Sequence, residues 1–72
     1  MLLVLLACIS PKRQANSAAH TELAGAYLFE GATEACIQSA QRATDLDRRN
    51  VEAWHTLALC TMKRGANEEA EE

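Results

Sequence analysis

The stretch that decides the fold occurs twice, as HTELAGAYLFEG at residues 20–31 and as WHTLALCTMKRG at residues 54–65. Leucine, alanine and glycine stand at the same places in both copies, 34 residues apart. Repeats of this length are typical of stacked helical hairpins, which bury their apolar faces against one another. The spacing therefore predicts an all-α chain of antiparallel helical hairpins in an α-solenoid, with one full repeat and part of a second.

Length and composition limit what such a chain can bury. Its 72 residues allow at most one small domain, which buries only about 60% of the surface that the unfolded chain exposes. Hydrophobic residues make up 49% of the chain but aromatic residues only 4%, so the apolar content is mostly alanine and leucine. This composition favours closely packed helices over a sheet.

The charge balance bears on the class of partner. Lys and Arg together number 7 against 10 for Asp and Glu, which gives a net charge of −3. No basic surface dominates that could neutralise several phosphates, so we expect no nucleic-acid partner.

The residues that could carry chemistry are few. The three cysteines, Cys8, Cys36 and Cys60, form no C-x-x-C pair, and His20 and His55 do not stand at zinc-ligand spacing with them. Cys36 and Cys60 occupy helix positions typical of small buried residues, which favours inert core cysteines. The odd count argues against a fully paired disulfide framework unless Cys8 has a separate fate. We therefore expect no catalytic, metal or cofactor residues and no enzyme activity.

The first nine residues form an apolar segment. Residues 1–9 are too few to span a bilayer, and Leu5-Leu6-Ala7-Cys8 resembles a bacterial lipobox, which predicts lipid attachment at Cys8. No Lys or Arg precedes this run, and the alternative is a helix that packs on the repeats. If residues 1–8 are a lipoprotein signal, the chain is membrane-anchored and periplasmic; otherwise it is cytoplasmic.

The rest of the chain divides into a linker and two repeat units. Residues 10–16 are polar and contain the single proline, which predicts a linker that would hold the repeats off a membrane. Residues 17–50 read as a full repeat and residues 51–72 as part of a second.

The sequence also predicts the helices inside these units. The first runs from Ser17 to Glu30 with an apolar stripe and stops at Gly31, and the second carries small residues from Ala32 to Leu46. The stripe of the first helix is Ala19, Leu23, Ala26 and Tyr27. Asn50 is expected to cap a third helix that ends at Gly65, and a short, frayed fourth helix should follow.

These residues resemble a known family. Trp54-x-x-Leu57-Ala58 is similar to the W-x-x-L-G opening of the tetratricopeptide repeat, and Leu23-Ala24-x-x-Tyr27 is similar to its L-G-x-x-Y stretch. The chain departs from the pattern at four positions, where the family usually has alanine, an aromatic residue, proline and tyrosine. These are Cys36, Ala40, Arg48 and Thr61.

The resemblance implies a concave groove, lined by the first helix of each repeat, that takes another protein as an extended peptide or a helix. The groove candidates are Thr21, Gly25, Leu28, Phe29, His55, Leu59, Met62 and Lys63. Family members that clamp a carboxylate use lysine and asparagine where this chain has Thr21 and Gly25, so that clamp is absent. Apolar candidates such as Phe29 and Met62 predict an apolar contact strip. Alternatively, several of them pack on neighbouring repeats.

A narrower resemblance concerns the order of segments. The chain begins with an apolar segment ending in Ala7-Cys8, followed by a polar linker and then residues 19–24. This order is similar to that of periplasmic lipoproteins that support type IV pilus assembly. This implies a membrane-tethered interaction scaffold that assists assembly of a cell-envelope complex such as a pilus. The alternative is a gene fragment or a structural segment of a longer scaffold with no independent activity, for which we expect self-association.

Overall fold

The computed structural model describes residues 10–71, and the side chains of residues 10–69. This part of the chain forms helices and contains no strand, which confirms the all-α prediction. The helices are α1 (Pro11–Glu30), α2 (Thr33–Leu46) and α3 (Val51–Glu71).

The apolar segment 1–9, with the predicted lipid attachment at Cys8, lies outside the described residues.

Helix α1 begins at Pro11, so the prediction of a linker over residues 10–16 is wrong. The Ser10 Oγ accepts a hydrogen bond from the Arg13 backbone N–H at 3.1 Å and caps the helix. Proline suits the first helical position because its missing N–H would have no intrahelical partner there. Residues 11–16 are exposed although they are helical, because the buried positions of α1 begin at Ser17.

Helix α1 ends at Gly31, as predicted. Gly31 has φ +83°, a left-handed conformation that residues with a Cβ adopt only with strain. Its N–H donates to the Leu28 carbonyl, and the Ala32 N–H donates to the Tyr27 carbonyl. These two bonds form a Schellman motif, which reverses the chain into α2.

Helix α3 begins after Asn50, which is the predicted cap. The Asn50 Oδ1 accepts from the Ala53 N–H at 3.1 Å. The Asn50 Nδ2 donates to the Ser17 Oγ at 2.9 Å and to the Thr21 Oγ1 at 3.1 Å, both on α1. The Ser17 Oγ donates in turn to the Ala43 carbonyl of α2 at 2.7 Å. One amide side chain therefore joins the start of α3 to α1 directly, and to α2 through the Ser17 hydroxyl.

The predicted end of the third helix at Gly65 is wrong, and no separate fourth helix forms within residues 66–71. Helix α3 continues to Glu71. Among the described glycines only Gly31 has a positive φ, so Gly65 is an ordinary helical residue. A helical glycine costs about 1 kcal/mol relative to alanine, and the contacts of Arg64 and Asn67 with α2 help to offset that cost.

The contacts between the helices fix their directions. Ser17 meets Ala43 and Cys36 meets Cys60, so α2 runs antiparallel to both neighbours and α1 runs parallel to α3. The buried apolar residues are small, with Ile37 the largest of them. They are Ala24, Cys36, Ile37, Ala40, Ala43, Ala53 and Cys60. Small side chains allow helix axes to approach to about 8 Å.

The face of α1 that packs differs from the predicted stripe. Ser17, Thr21 and Ala24 are buried. Three of the four predicted stripe residues are exposed, namely Ala19, Leu23 and Ala26, and the fourth, Tyr27, is partly buried. The small polar side chains face inward because they hydrogen-bond across the helix contacts, which an apolar pattern does not reveal.

Replacing Asn50 with alanine should destabilise the fold. Asn50→Ala removes the cap of α3 and both bonds to α1, so we expect a loss of about 2 kcal/mol in the free energy of unfolding. The measurement is a thermal or urea melt followed by circular dichroism. Asn67→Ala is the matched control, because Asn67 makes only an exposed 3.4 Å contact to Thr33. Equal melting of the two variants would contradict the role assigned to Asn50.

Candidate functional site

A disulfide between Cys36 and Cys60 joins α2 to α3. Their Cα atoms are 6.0 Å apart, a separation typical of disulfides, and both residues are fully buried. The prediction of buried positions for these cysteines is confirmed. The odd number of cysteines argued against a fully paired disulfide framework unless Cys8 has a separate fate. Because Cys36 and Cys60 pair with each other, the remaining cysteine is Cys8.

Two polar contacts accompany the disulfide at the same end of the molecule. An Arg64 Nη1 lies 3.7 Å from a Glu34 carboxylate oxygen, and the Asn67 Nδ2 lies 3.4 Å from the Thr33 Oγ1. Both contacts are exposed and contribute little by themselves. They align the C-terminal half of α3 with the start of α2.

Arg13 caps the C-terminal end of α2, which lies away from the disulfide. Its Nε donates to the Leu46 carbonyl and its Nη2 to the Asp45 carbonyl, each at 3.1 Å. These carbonyls lie in the last turn of α2, where a helix lacks N–H partners and a positive charge is favourable. Sequence reasoning missed this contact because it assigned Arg13 to a linker.

The groove candidates on α1 do not form one surface. Thr21 is buried, its hydroxyl donates to the Ser17 carbonyl at 2.8 Å, and it accepts from Asn50. Its prediction as a ligand contact is therefore wrong, because its hydroxyl is engaged inside the fold. Leu28 is partly buried and packs against the core cluster.

The other two candidates on α1 are accessible. Gly25 is exposed, and a Cβ built there would meet no atom within 4 Å. Phe29 is 93% exposed. These residues are four apart and share a helix face, so they offer an open backbone surface beside an aromatic ring.

The candidates on α3 are all exposed. Leu59 is 38% exposed and Met62 69%, and His55 and Lys63 are also exposed. The spacing of His55, Leu59 and Met62 places them along one side of the helix. α3 also contacts α1, so the accessible candidates lie on two neighbouring helices of one scaffold.

Sequence reasoning did not select three further exposed apolar residues. Val51 is 78% exposed, Trp54 49% and Leu23 42%. The Trp54 Nε1 donates to the Arg48 carbonyl at 2.9 Å, which holds the indole against the loop before α3. Trp54 belongs to the motif that resembles the family, and the motif alone does not predict that its side chain is exposed.

Over residues 10–71, no three His, Cys, Asp or Glu residues come together as a metal site would require. No helix in this range has both the length and the apolar character needed to cross a bilayer.

Comparison with known proteins gives no relative: no protein-family model, no curated protein and no solved structure matches this chain.

Reducing the disulfide should lower stability strongly. Its two cysteines are 24 positions apart, and a loop of this size corresponds to about 3 kcal/mol in the chain-entropy treatment of the unfolded state. We expect a reductant to lower the melting temperature measured by circular dichroism. The double variant Cys36→Ala/Cys60→Ala should melt lower than the oxidised chain and should not respond to reductant. A Cys8→Ser variant that lost its response would contradict the pairing.

Proposed function

We propose that the chain is a non-catalytic protein–protein interaction module of the tetratricopeptide type. The observation that carries the proposal is the exposure of Phe29 and Met62 on neighbouring helices whose buried residues are small. Because Phe29 is exposed, its side chain contributes little hydrophobic free energy to folding. Exposed large apolar side chains are favourable contact groups for another protein.

The arrangement of the helices supports the repeat assignment. α1 and α2 form an antiparallel hairpin closed at Gly31, and α3 runs parallel to α1 and contacts both other helices. α3 starts one repeat length after residue 17, which is the first buried position of α1. The helix order and directions are those expected of one hairpin followed by the first helix of the next.

The groove that we propose is lined by Gly25 and Phe29 from α1 and by His55, Leu59, Met62 and Lys63 from α3. The lining of this groove is mostly apolar with one lysine, and it does not include Thr21, which is buried. A suitable ligand is an extended peptide or an amphipathic helix that presents large apolar side chains. The absence of a lysine and asparagine pair disfavours recognition of a terminal carboxylate.

The disulfide bears on where the module works. Disulfides persist in oxidising compartments and are rare in the cytosol. Together with the apolar segment 1–9, the Cys36–Cys60 bond supports a periplasmic module tethered through Cys8. In that setting the module would assist assembly of a cell-envelope complex such as a pilus.

A second candidate is a structural segment of a longer scaffold. It is favoured by the exposure of Val51, Ala58 and Met62 on α3, which stand where α1 has the buried or partly buried residues Ser17, Ala24 and Leu28. In a longer array the next helix would cover them.

A peptide selection tests the groove. Peptides selected from a random library on the oxidised full chain should compete with one another for one site. Phe29→Ser and Leu59→Ser should each weaken their binding by at least about tenfold in fluorescence anisotropy, because each removes an apolar anchor.

Leu23→Ser is the matched control for these variants. Leu23 is also an exposed leucine, but it lies on a different side of α1 from Gly25 and Phe29. Its substitution should leave peptide affinity unchanged. Peptides that lose affinity equally in all three variants, or in none, would argue against this groove.

The tether is tested at Cys8. In a bacterial host the mature chain should fractionate with membranes and carry a lipid on Cys8 as its first residue, as read by mass spectrometry. Cys8→Ser should release it into the soluble fraction. Recovery of the wild-type chain with Met1 retained and Cys8 unmodified would refute the lipoprotein hypothesis.

A further inference from the structure

The outer face of α3 is apolar along most of its length. Cys60 and Ala53 mark the side of α3 that packs on the core, and the opposite side carries Val51, Ala58 and Met62. Val51 is 78% exposed and Met62 69%. Ala66 continues this side one turn later and is also exposed.

We infer that this face binds the same face of a second copy of the chain, with the two α3 helices antiparallel. The two-fold axis passes between Ala58 and Leu59. The inference goes beyond the proposed function, although the groove residues of α3, which are His55, Leu59, Met62 and Lys63, also take part in this contact.

The side chains are complementary in size about that axis. Ala58 lies opposite Leu59 of the second copy, so a small residue meets a large one at the centre. Val51 lies opposite Ala66 of the second copy in the same way. Such pairs let two helices pack with their axes about 8–10 Å apart.

The charges favour the antiparallel direction. Arg48 and Arg49 lie in the turn just before α3, and Glu68 and Glu69 lie near its C-terminal end, so the two pairs of charges stand at opposite ends of the helix. The antiparallel arrangement therefore places two arginines of each copy beside two glutamates of the other. A parallel arrangement would set arginine against arginine and glutamate against glutamate, which is unfavourable.

A second set of charges agrees with this direction. Glu52 and Lys63 lie on the same flank of α3. In the antiparallel pair, Glu52 of one copy lies within one helical turn of Lys63 of the other copy. All of these charged side chains are exposed. Within the described residues the one ion pair is Arg64–Glu34, so the charges assigned to the interface are free to pair with a second copy.

The size of the contact predicts a reversible dimer. Contact from Val51 to Glu68 extends over about 27 Å of helix, at about 1.5 Å per residue. One helix pair of this length buries less than the roughly 1,200 Å² of a standard stable interface, so we expect association in the micromolar range.

Charge reversal tests the arrangement on the oxidised full chain, with mass measured by sedimentation equilibrium. The wild type should pass from monomer to dimer as its concentration rises. Arg48→Glu/Arg49→Glu and Glu68→Arg/Glu69→Arg should each weaken self-association at least about tenfold, because like charges then face each other. An equimolar mixture of the two variants should form a heterodimer, and the fourfold variant should regain the homodimer.

Two single variants separate this dimer from other contacts. Ala58→Glu at the axis should give a monomer, and Gln38→Glu on the exposed side of α2 should dimerise as the wild type does. Circular dichroism checks that each variant folds. Phe29→Ser should leave the dimer intact, so loss of peptide binding and loss of dimerisation remain separate results.

Three outcomes would overturn the inference. They are a wild type that stays monomeric up to millimolar concentration, association that persists unchanged in both double variants, and a fourfold variant that does not recover. Persistent association would place the contact elsewhere, such as in the apolar residues 1–9.

Discussion

The Cys36–Cys60 bond is the constraint on which the arrangement of the helices depends. Among the described residues the largest fully buried side chains are these two cysteines and Ser17, and Ile37 is the largest apolar residue of the buried core. Burial of alanine-sized groups contributes little hydrophobic free energy to set against the entropy of ordering about sixty residues. A covalent link between α2 and α3 reduces the entropy of the unfolded chain and so supplies stability that the core lacks.

Polar contacts perform the corresponding role at the other end of the molecule. Asn50 joins the start of α3 to Ser17 and Thr21 of α1, and Arg13 caps the end of α2. No buried side-chain nitrogen or oxygen among the described residues lacks a hydrogen-bond partner. Buried polar groups specify one register when all are satisfied, because a shift would leave them unpaired. Each helix is thus fixed near both ends.

Close packing of small residues also determines the surface. Because alanine, serine and cysteine fill most of the contacts between helices, several of the larger apolar side chains lie outside them, and Phe29, Val51 and Met62 are mostly exposed. α3 carries apolar residues both toward α1 and on its outer side. The groove proposed for a peptide and the face proposed for a second copy both include residues of α3.

The sequence by itself determined the all-α class, the turn at Gly31 and the cap at Asn50, because these follow from local periodicity and backbone preference. Two helix boundaries were predicted wrongly. The start of α1 has a local signal, the Ser10 cap followed by Pro11, which was interpreted as a linker, and α3 continues through Gly65, a residue that a helix accommodates at a cost of about 1 kcal/mol. Groove candidates such as Phe29 and Met62 are accessible, whereas Thr21 is buried. Only the tertiary structure could decide this, because burial depends on which helix faces meet and which polar groups find partners there.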